Sequence, residues 1–332
     1  MSTTSTLRSA ARGAALALAS LVLASLALPG CASRGPTTQP QAAVERQAPT
    51  VVEALLRAGE NRAEIDAFLA NQTGDRQIAA EFLIANLPTV DLVTLTAADL
   101  QENLDLAFQA RAELPWAGQV PFELFLHYVL PPRVTEEPFT PWRAPLYADL
   151  SEKLEGCTNM VDAALAVNRW CGQRMGFKQT ERRDQSPLSS LKSGIGRCEE
   201  LMTITICAMR AMGIPARPCS APWWIVNDNN HAWVEVWADG DWYYLGGCEP
   251  AKQLDRGWFT GAAQRAGIVT SYMFGSPLTH PTGEVVARDM GNMAVINSTA
   301  VYAATDEVRV RVTDPLGQPL ADNPQAISCF NY

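Results

Sequence analysis

The sequence predicts an α+β fold, and three observations predict it. Apolar residues recur at helical spacing across residues 50–130 and again from Met160 to Met175. Leu201 to Met212 is apolar nearly all round, the pattern of a helix buried on every side. Short strand candidates then follow, two of them flanking an Asp239-Gly240 hairpin signal, so helix gives way to antiparallel strands.

The chain has 332 residues, enough for one large or two medium domains. Hydrophobic residues make up 47% and charged residues 18%, as in an ordinary globular protein. The net charge of −9 repels phosphate backbones, so nucleic acid is not expected as a partner.

Residues 1–30 have the layout of a signal peptide. Arg8 and Arg12 precede a mostly apolar run from Ala14 to Leu28, too short for a comfortable spanning helix. The run ends in Leu28-Pro29-Gly30-Cys31, which resembles the lipobox of bacterial lipoproteins. That resemblance implies acylation at Cys31, export, and anchoring to the membrane of the bacterial cell envelope. Residues 31–50, rich in Pro and Gln, read as a flexible tether.

Residues 51–149 form the expected helical N-terminal region. Val51 to Arg57, Ile65 to Leu69, Gln77 to Ile84 and Ala97 to Ala110 each show helical periodicity, with Thr96 a candidate cap for the last. Pro115, Pro121, Pro131 and Pro132 interrupt the pattern. Residues 150–285 form the expected core. Its buried helix is stopped by Gly213 and Pro215, and strands are predicted over Ala216–Val226, His231–Trp237 and Trp242–Leu245. Residues 286–332 read as an incomplete β-sandwich-like tail. Val308 to Asp314 alternates with period two, and Ala326 to Phe330 would start a further strand; the segment would otherwise pack on the main body.

Eight cysteines are present. With Cys31 assigned to lipid and Cys198 to chemistry, an even number remains. Export would permit disulfides among them, but spacing fixes no pairing. Cys207 lies mid-helix among apolar residues and reads as a buried free thiol. No Cys-x-x-Cys pair exists, so no metal is expected, nor any other cofactor.

The chemistry centres on Cys198 and His231. Glycine-rich Gly194-Ile195-Gly196 leads into Arg197 and Cys198, where the buried helix should begin. Free N–H groups and the positive helix end would stabilise a thiolate there, and the backbone N–H of Cys198 could serve an oxyanion. A helix-initiating core cysteine is the plainer alternative. Among three histidines, His127 reads as structural and His280 as a loop residue, whereas His231 opens a strand that would hold an imidazole rigidly, as a general base requires. Glu249, at the end of the next strand, is the preferred orienting acceptor; Asp241 falls in a turn. Trp223 and Trp224 would wall a substrate groove or simply pack as β-core aromatics.

Gly-x-Cys-x-Glu before an apolar helix, then Arg210 to Arg217 (Arg-Ala-Met-Gly-Ile-Pro-Ala-Arg), then His231 to Trp237, resembles the transglutaminase-like core. The resemblance implies a papain-like fold and a Cys-His-Asp triad, with Cys198 as nucleophile and His231 as its partner. Gly246 occupies the slot of the family's Asp. Some bacterial members resemble this chain in carrying Gly-x-Cys-Glu-Pro there, which implies Glu249 as the third member. Calcium assists some members of the family, but no dense acidic loop is present here.

The expected function is acyl transfer or hydrolysis at amide or carboxamide groups of a protein or peptide substrate, through a thioester on Cys198. The alternative is a surface-tethered binding or scaffold module with a degenerate transglutaminase-like core.

Overall fold

The computed structural model describes residues 47–179, 185–225, 229–279 and 283–306, with positions 316 and 318. The leader, the tether up to residue 46, Cys31, His280 and the expected tail strands at Val308–Asp314 and Ala326–Phe330 lie outside the described residues.

Helices come first: α1 (Val51–Ala58), α2 (Arg62–Leu69), α3 (Gly74–Asn86), α4 (Thr89–Leu92) and α5 (Ala97–Glu113). Their starts follow from capping chemistry. At α1 the Thr50 hydroxyl accepts the Glu53 N–H while Glu53 accepts the Thr50 N–H, and Thr96 with Asp99 repeats the device at α5. Next come α6 (Phe122–Tyr128), α7 (Arg143–Ser151) and α8 (Met160–Gly172), the last capped by Asn159. Strand β1 (Gly176–Phe177), helix α9 (Pro187–Ser193) and strand β2 (Ile195–Gly196) lead into α10 (Cys198–Ala211). β1 and β2 pair in parallel.

Helix α10 is the axis of the core. Every residue from Glu200 to Ala211 is buried, as the all-round apolar pattern requires. Gly213 ends it with a positive φ of 65°. Strands β3 (Ala216–Ala221), β4 (His231–Ala238) and β5 (Asp241–Leu245) follow. Asp239 and Gly240 both adopt positive φ, 51° and 92°, in the two-residue turn between β4 and β5. β3 stops at Ala221, short of the expected Val226.

The remaining elements are α11 (Thr260–Ala263), β6 (Thr270–Phe274), β7 (Val286–Asp289), β8 (Met293–Asn297) and α12 (Thr299–Tyr302). The main sheet has six strands in the order β5-β4-β3-β6-β8-β7, every neighbouring pair antiparallel. The α+β expectation holds. The division at residue 285 cuts this sheet, because β7 and β8 hydrogen-bond onto β6 and so belong to the body containing α10. The division near residue 150 likewise crosses one continuous apolar cluster, which runs from Ala54 in α1 through α10 to Ile296 in β8.

The two faces of β4 do different jobs. Ala232, Val234 and Val236 join the main core with α10. The alternate residues His231, Trp233 and Glu235 face the other way. There Trp233 packs in a second cluster with Cys219, Tyr244, Phe259 and Tyr302. Beneath it the buried Arg217 pairs with Glu235 at 2.6 Å, and Glu235 also accepts the Tyr302 hydroxyl at 2.6 Å. This paired network ties β3, β4 and α12 together and anchors the strand that carries His231.

Candidate active site

Cys198 is the first residue of α10, where local sequence puts it. The turn that presents it is tight. A Cβ on Gly196 would lie 2.7 Å from Cβ of Glu200, and the Arg197 N–H donates to Oε2 of Glu200 at 2.7 Å. The half-buried sulfur lies near the backbone N–H groups of Ala232 and of Cys198 itself, both of which favour a thiolate. The Ala232 nitrogen belongs to the peptide unit that follows His231, so the tip of α10 meets the start of β4, but among the described residues no hydrogen bond joins the Cys198 sulfur to the His231 ring. The Cys198 thiol also donates to Oε2 of Glu199 at 3.2 Å.

The electrostatics describe a neutral resting pair. Burial pushes the Cys198 thiol up to about 11, and the Glu199 carboxylate adds to the rise, while the two backbone N–H groups oppose it. Burial pulls the His231 imidazole down to about 4, against a smaller upward pull from Glu199. Glu199 therefore acts on both groups. Sequence reading passed over its side chain; its place directly after the nucleophile was the only signal.

His231 is 8% exposed and walled by aromatic rings. Trp258, Phe259 and Trp233 lie with ring centroids 4.7, 5.0 and 5.7 Å from it. Its Nε2 is buried without a hydrogen-bond partner among the described residues.

Glu249 does not bond to that nitrogen. Its Oε1 accepts the indole N–H of Trp258 at 3.0 Å, and its backbone carbonyl accepts the Asn168 amide at 2.7 Å. The carboxyl is held above its usual range by burial, with the indole bond opposing. The structure thus places Glu249 beside the histidine's aromatic wall rather than on its ring, because Trp258 engages the carboxylate first. Trp258, itself 69% exposed, is a second residue that sequence reading left out of the site.

The tryptophan pair separates. Trp224 is buried and stacks on Trp233, centroids 6.1 Å apart with planes at 2°, so it is a core residue and no groove wall. Trp223 is 60% exposed. An open cleft of about 550 Å³ lies beside the site, lined by Glu249, Trp258, Lys252 and Arg256 among others. His127 is buried against Phe274 and Phe82, as a structural histidine would be. Among the described residues no three His, Cys, Asp or Glu side chains cluster as a metal ion would need.

Residues 148–246 match the transglutaminase-like superfamily. They are the transglutaminase-like core of this chain. The match takes in α10, Cys198, β4 and His231, and it ends at Gly246, before Glu249. Solved structures similar to the chain include the following two. One is a candidate cysteine protease from Cytophaga hutchinsonii, 16% identical with a TM-score of 0.29, the likeness covering 47% of this chain and 58% of that one. The other is a candidate protease from Parabacteroides distasonis ATCC 8503, 13% identical with a TM-score of 0.29, covering 55% of this chain and 32% of that one. The chain thus spans less than two thirds of either neighbour's length. No curated protein matches the chain.

Proposed function

We propose that this chain is a thiol-dependent acyl-transfer enzyme or hydrolase of protein or peptide amide groups. One observation carries the reading: Cys198, at the first position of α10, lies against the backbone N–H of Ala232, the residue that follows His231 in β4. A nucleophile at a helix N-terminus, next to the strand end that carries an imidazole, is an arrangement that thioester chemistry can use.

The resting pair is neutral, so the proton moves as attack proceeds. The sulfur bonds to the substrate carbonyl carbon while its proton passes to His231. The backbone N–H groups that now face the sulfur become donors to the developing oxyanion. His231 then returns the proton to the leaving amine, the C–N bond breaks, and a thioester remains on Cys198. Water or a second amine, deprotonated by His231, resolves it. Glu249 serves this cycle as the acceptor that steadies the imidazolium, after its carboxylate turns from the Trp258 indole.

The leader features of residues 1–31 support export and a lipid anchor at Cys31, which would hold the protein at the membrane of the bacterial cell envelope. Residues 31–50 would then act as its tether.

The test is acylation. The protein is treated with an N-acyl amino acid p-nitrophenyl ester, and its intact mass is read before and after hydroxylamine. An acyl group on Cys198 that hydroxylamine removes is the expected result. It is absent in Cys198→Ala and formed roughly 10²–10⁴ times more slowly in His231→Ala. Acylation indifferent to both substitutions would sink the proposal.

A second reading, a non-catalytic binding module, is favoured by the unpartnered Nε2 of His231 and the raised Cys198 thiol. It predicts that Cys198 acylates no faster than a free cysteine in the same buffer.

A further inference from the structure

Two buried thiols outside this chemistry meet where α8 touches the loop after β5. Cys171 is the penultimate residue of α8 and is fully buried; Cys248 is 7% exposed. The Cys171 thiol lies near the Cys248 thiol and the Thr205 hydroxyl, and both cysteines are free in the structure. Thr205 also lies 3.5 Å from Sγ of Cys248 and accepts the Cys248 N–H at 2.9 Å. The backbones close in as well, since a Cβ on Gly172 would lie 2.8 Å from the carbonyl oxygen of Cys248 and 2.5 Å from Pro250.

Cys248 holds a left-handed φ of 54°, a conformation that penalises any side chain and favours glycine. The thiol's neighbours there are Thr205, the Leu201 carbonyl at 3.4 Å and a second thiol.

We propose that Cys171 and Cys248 close to a disulfide as the chain folds, pinning the Gly246–Pro250 loop to the end of α8. The oxidant is a disulfide of the glutathione class. One protein thiolate attacks an oxidant sulfur, forming a mixed disulfide and releasing one small thiol. The second protein thiolate then displaces the other. Two S–H bonds and the oxidant's S–S bond are lost; one protein S–S bond and two small thiols are gained. Both sulfurs are sealed once the core closes, and burial raises the Cys171 thiol further, so the exchange precedes that closure. The bond joins segments far apart in sequence, the case in which a crosslink most restricts the unfolded chain. It also fixes the backbone that carries Glu249. The inference does not depend on the enzymatic reading.

The test uses full-length protein carrying Cys198→Ala, so that the exposed sulfur does not compete. It is refolded in glutathione disulfide with glutathione, alkylated without reduction, digested and mapped by mass spectrometry. The expected product is a linked peptide pair joining positions 171 and 248, lighter by two hydrogens than the separate peptides. Dithiothreitol is expected to lower the melting temperature by roughly 10 °C, and Cys171→Ser to lose that response. Recovery of Cys171 and Cys248 as separately alkylated thiols, or linkage of either to another cysteine, overturns the pairing. A Cys171→Ser protein that keeps the full reductant response overturns the stabilising role.

Discussion

The carboxylate of Glu249 occupies the volume that a side chain on Gly246 would fill: a Cβ at 246 would lie 2.1 Å from its Oε2. Gly246 and Glu249 are therefore alternative suppliers of one carboxylate to one place. β5 ends at Leu245, opposite Val234, so Gly246 follows directly on the strand paired with β4. The Glu249 carboxylate at this place bonds Trp258, whose ring centroid is 4.7 Å from that of His231.

This predicts a rescue. Glu249→Ala should lower acylation by up to roughly 10⁴-fold, as loss of an orienting acceptor does. Gly246→Asp alone should be no better than wild type and poorly folded, since its Cβ collides with Glu249. The double variant Gly246→Asp/Glu249→Ala should recover part of the lost rate, since the alanine at position 249 still keeps a Cβ about 2.9 Å from that of residue 246. Acylation rates of the four proteins decide it, and no recovery in the double variant would remove Glu249 from the reaction.

Much of this site was legible because it is encoded locally. A glycine-rich entry, an all-apolar helix and a Gly-x-Pro stop delimit α10 within one stretch of chain, and Asp239-Gly240 delimits β4 and β5. What escaped was non-local. No periodicity says that β8 pairs with β6, nor that Trp258 claims Glu249 ahead of His231. The burial of Trp224 depends on Trp233, on a neighbouring strand, being free to stack. Both tryptophans of the Trp223-Trp224 pair look alike in sequence, and tertiary packing alone separates them.

Glu199 should set the reactivity of Cys198. Burial and the adjacent carboxylate hold the thiol up at about 11. Iodoacetamide labelling of Cys198, followed by mass spectrometry across pH, should show an inflection near that value. In Glu199→Gln the carboxylate's contribution vanishes, so the inflection should move down and labelling at pH 8 should quicken. An unmoved profile would assign the whole rise to burial.

His231 makes a stability prediction with a definite sign. Its folded imidazole is pulled down to about 4, whereas the unfolded chain titrates near the ordinary 6.5. Above that ordinary value both states are neutral and the residue is indifferent to pH. As pH falls through the window from 6.5 to 4, the unfolded chain takes up the proton first and stability is lost. The loss should reach roughly 2–3 kcal/mol. Urea denaturation of wild type and His231→Gln at pH 7.5 and 4 should show the variant free of this component, and an equal acid loss in both proteins would refute the assignment.

The buried pair under the active strand should matter for folding more than for chemistry. Arg217 is fully buried between Glu235 at 2.6 Å and Glu284 at 2.6 and 2.8 Å, with its guanidinium 3.8 Å over the Trp242 ring. Removing the cation strands two carboxylates, one of them fully buried, so Arg217→Met should cost about 3–5 kcal/mol. Glu235→Gln should cost less. It leaves Arg217 paired with Glu284 and keeps an oxygen for the Tyr302 hydroxyl, which in turn holds the Trp233 indole at 2.7 Å. Because Trp233 stands next to His231 on the same face of β4, both variants should loosen the imidazole's wall. The expected order of denaturation midpoints is wild type, then Glu235→Gln, then Arg217→Met. The reverse order of the two variants would mean that the carboxylate, rather than the guanidinium, organises this part of the core.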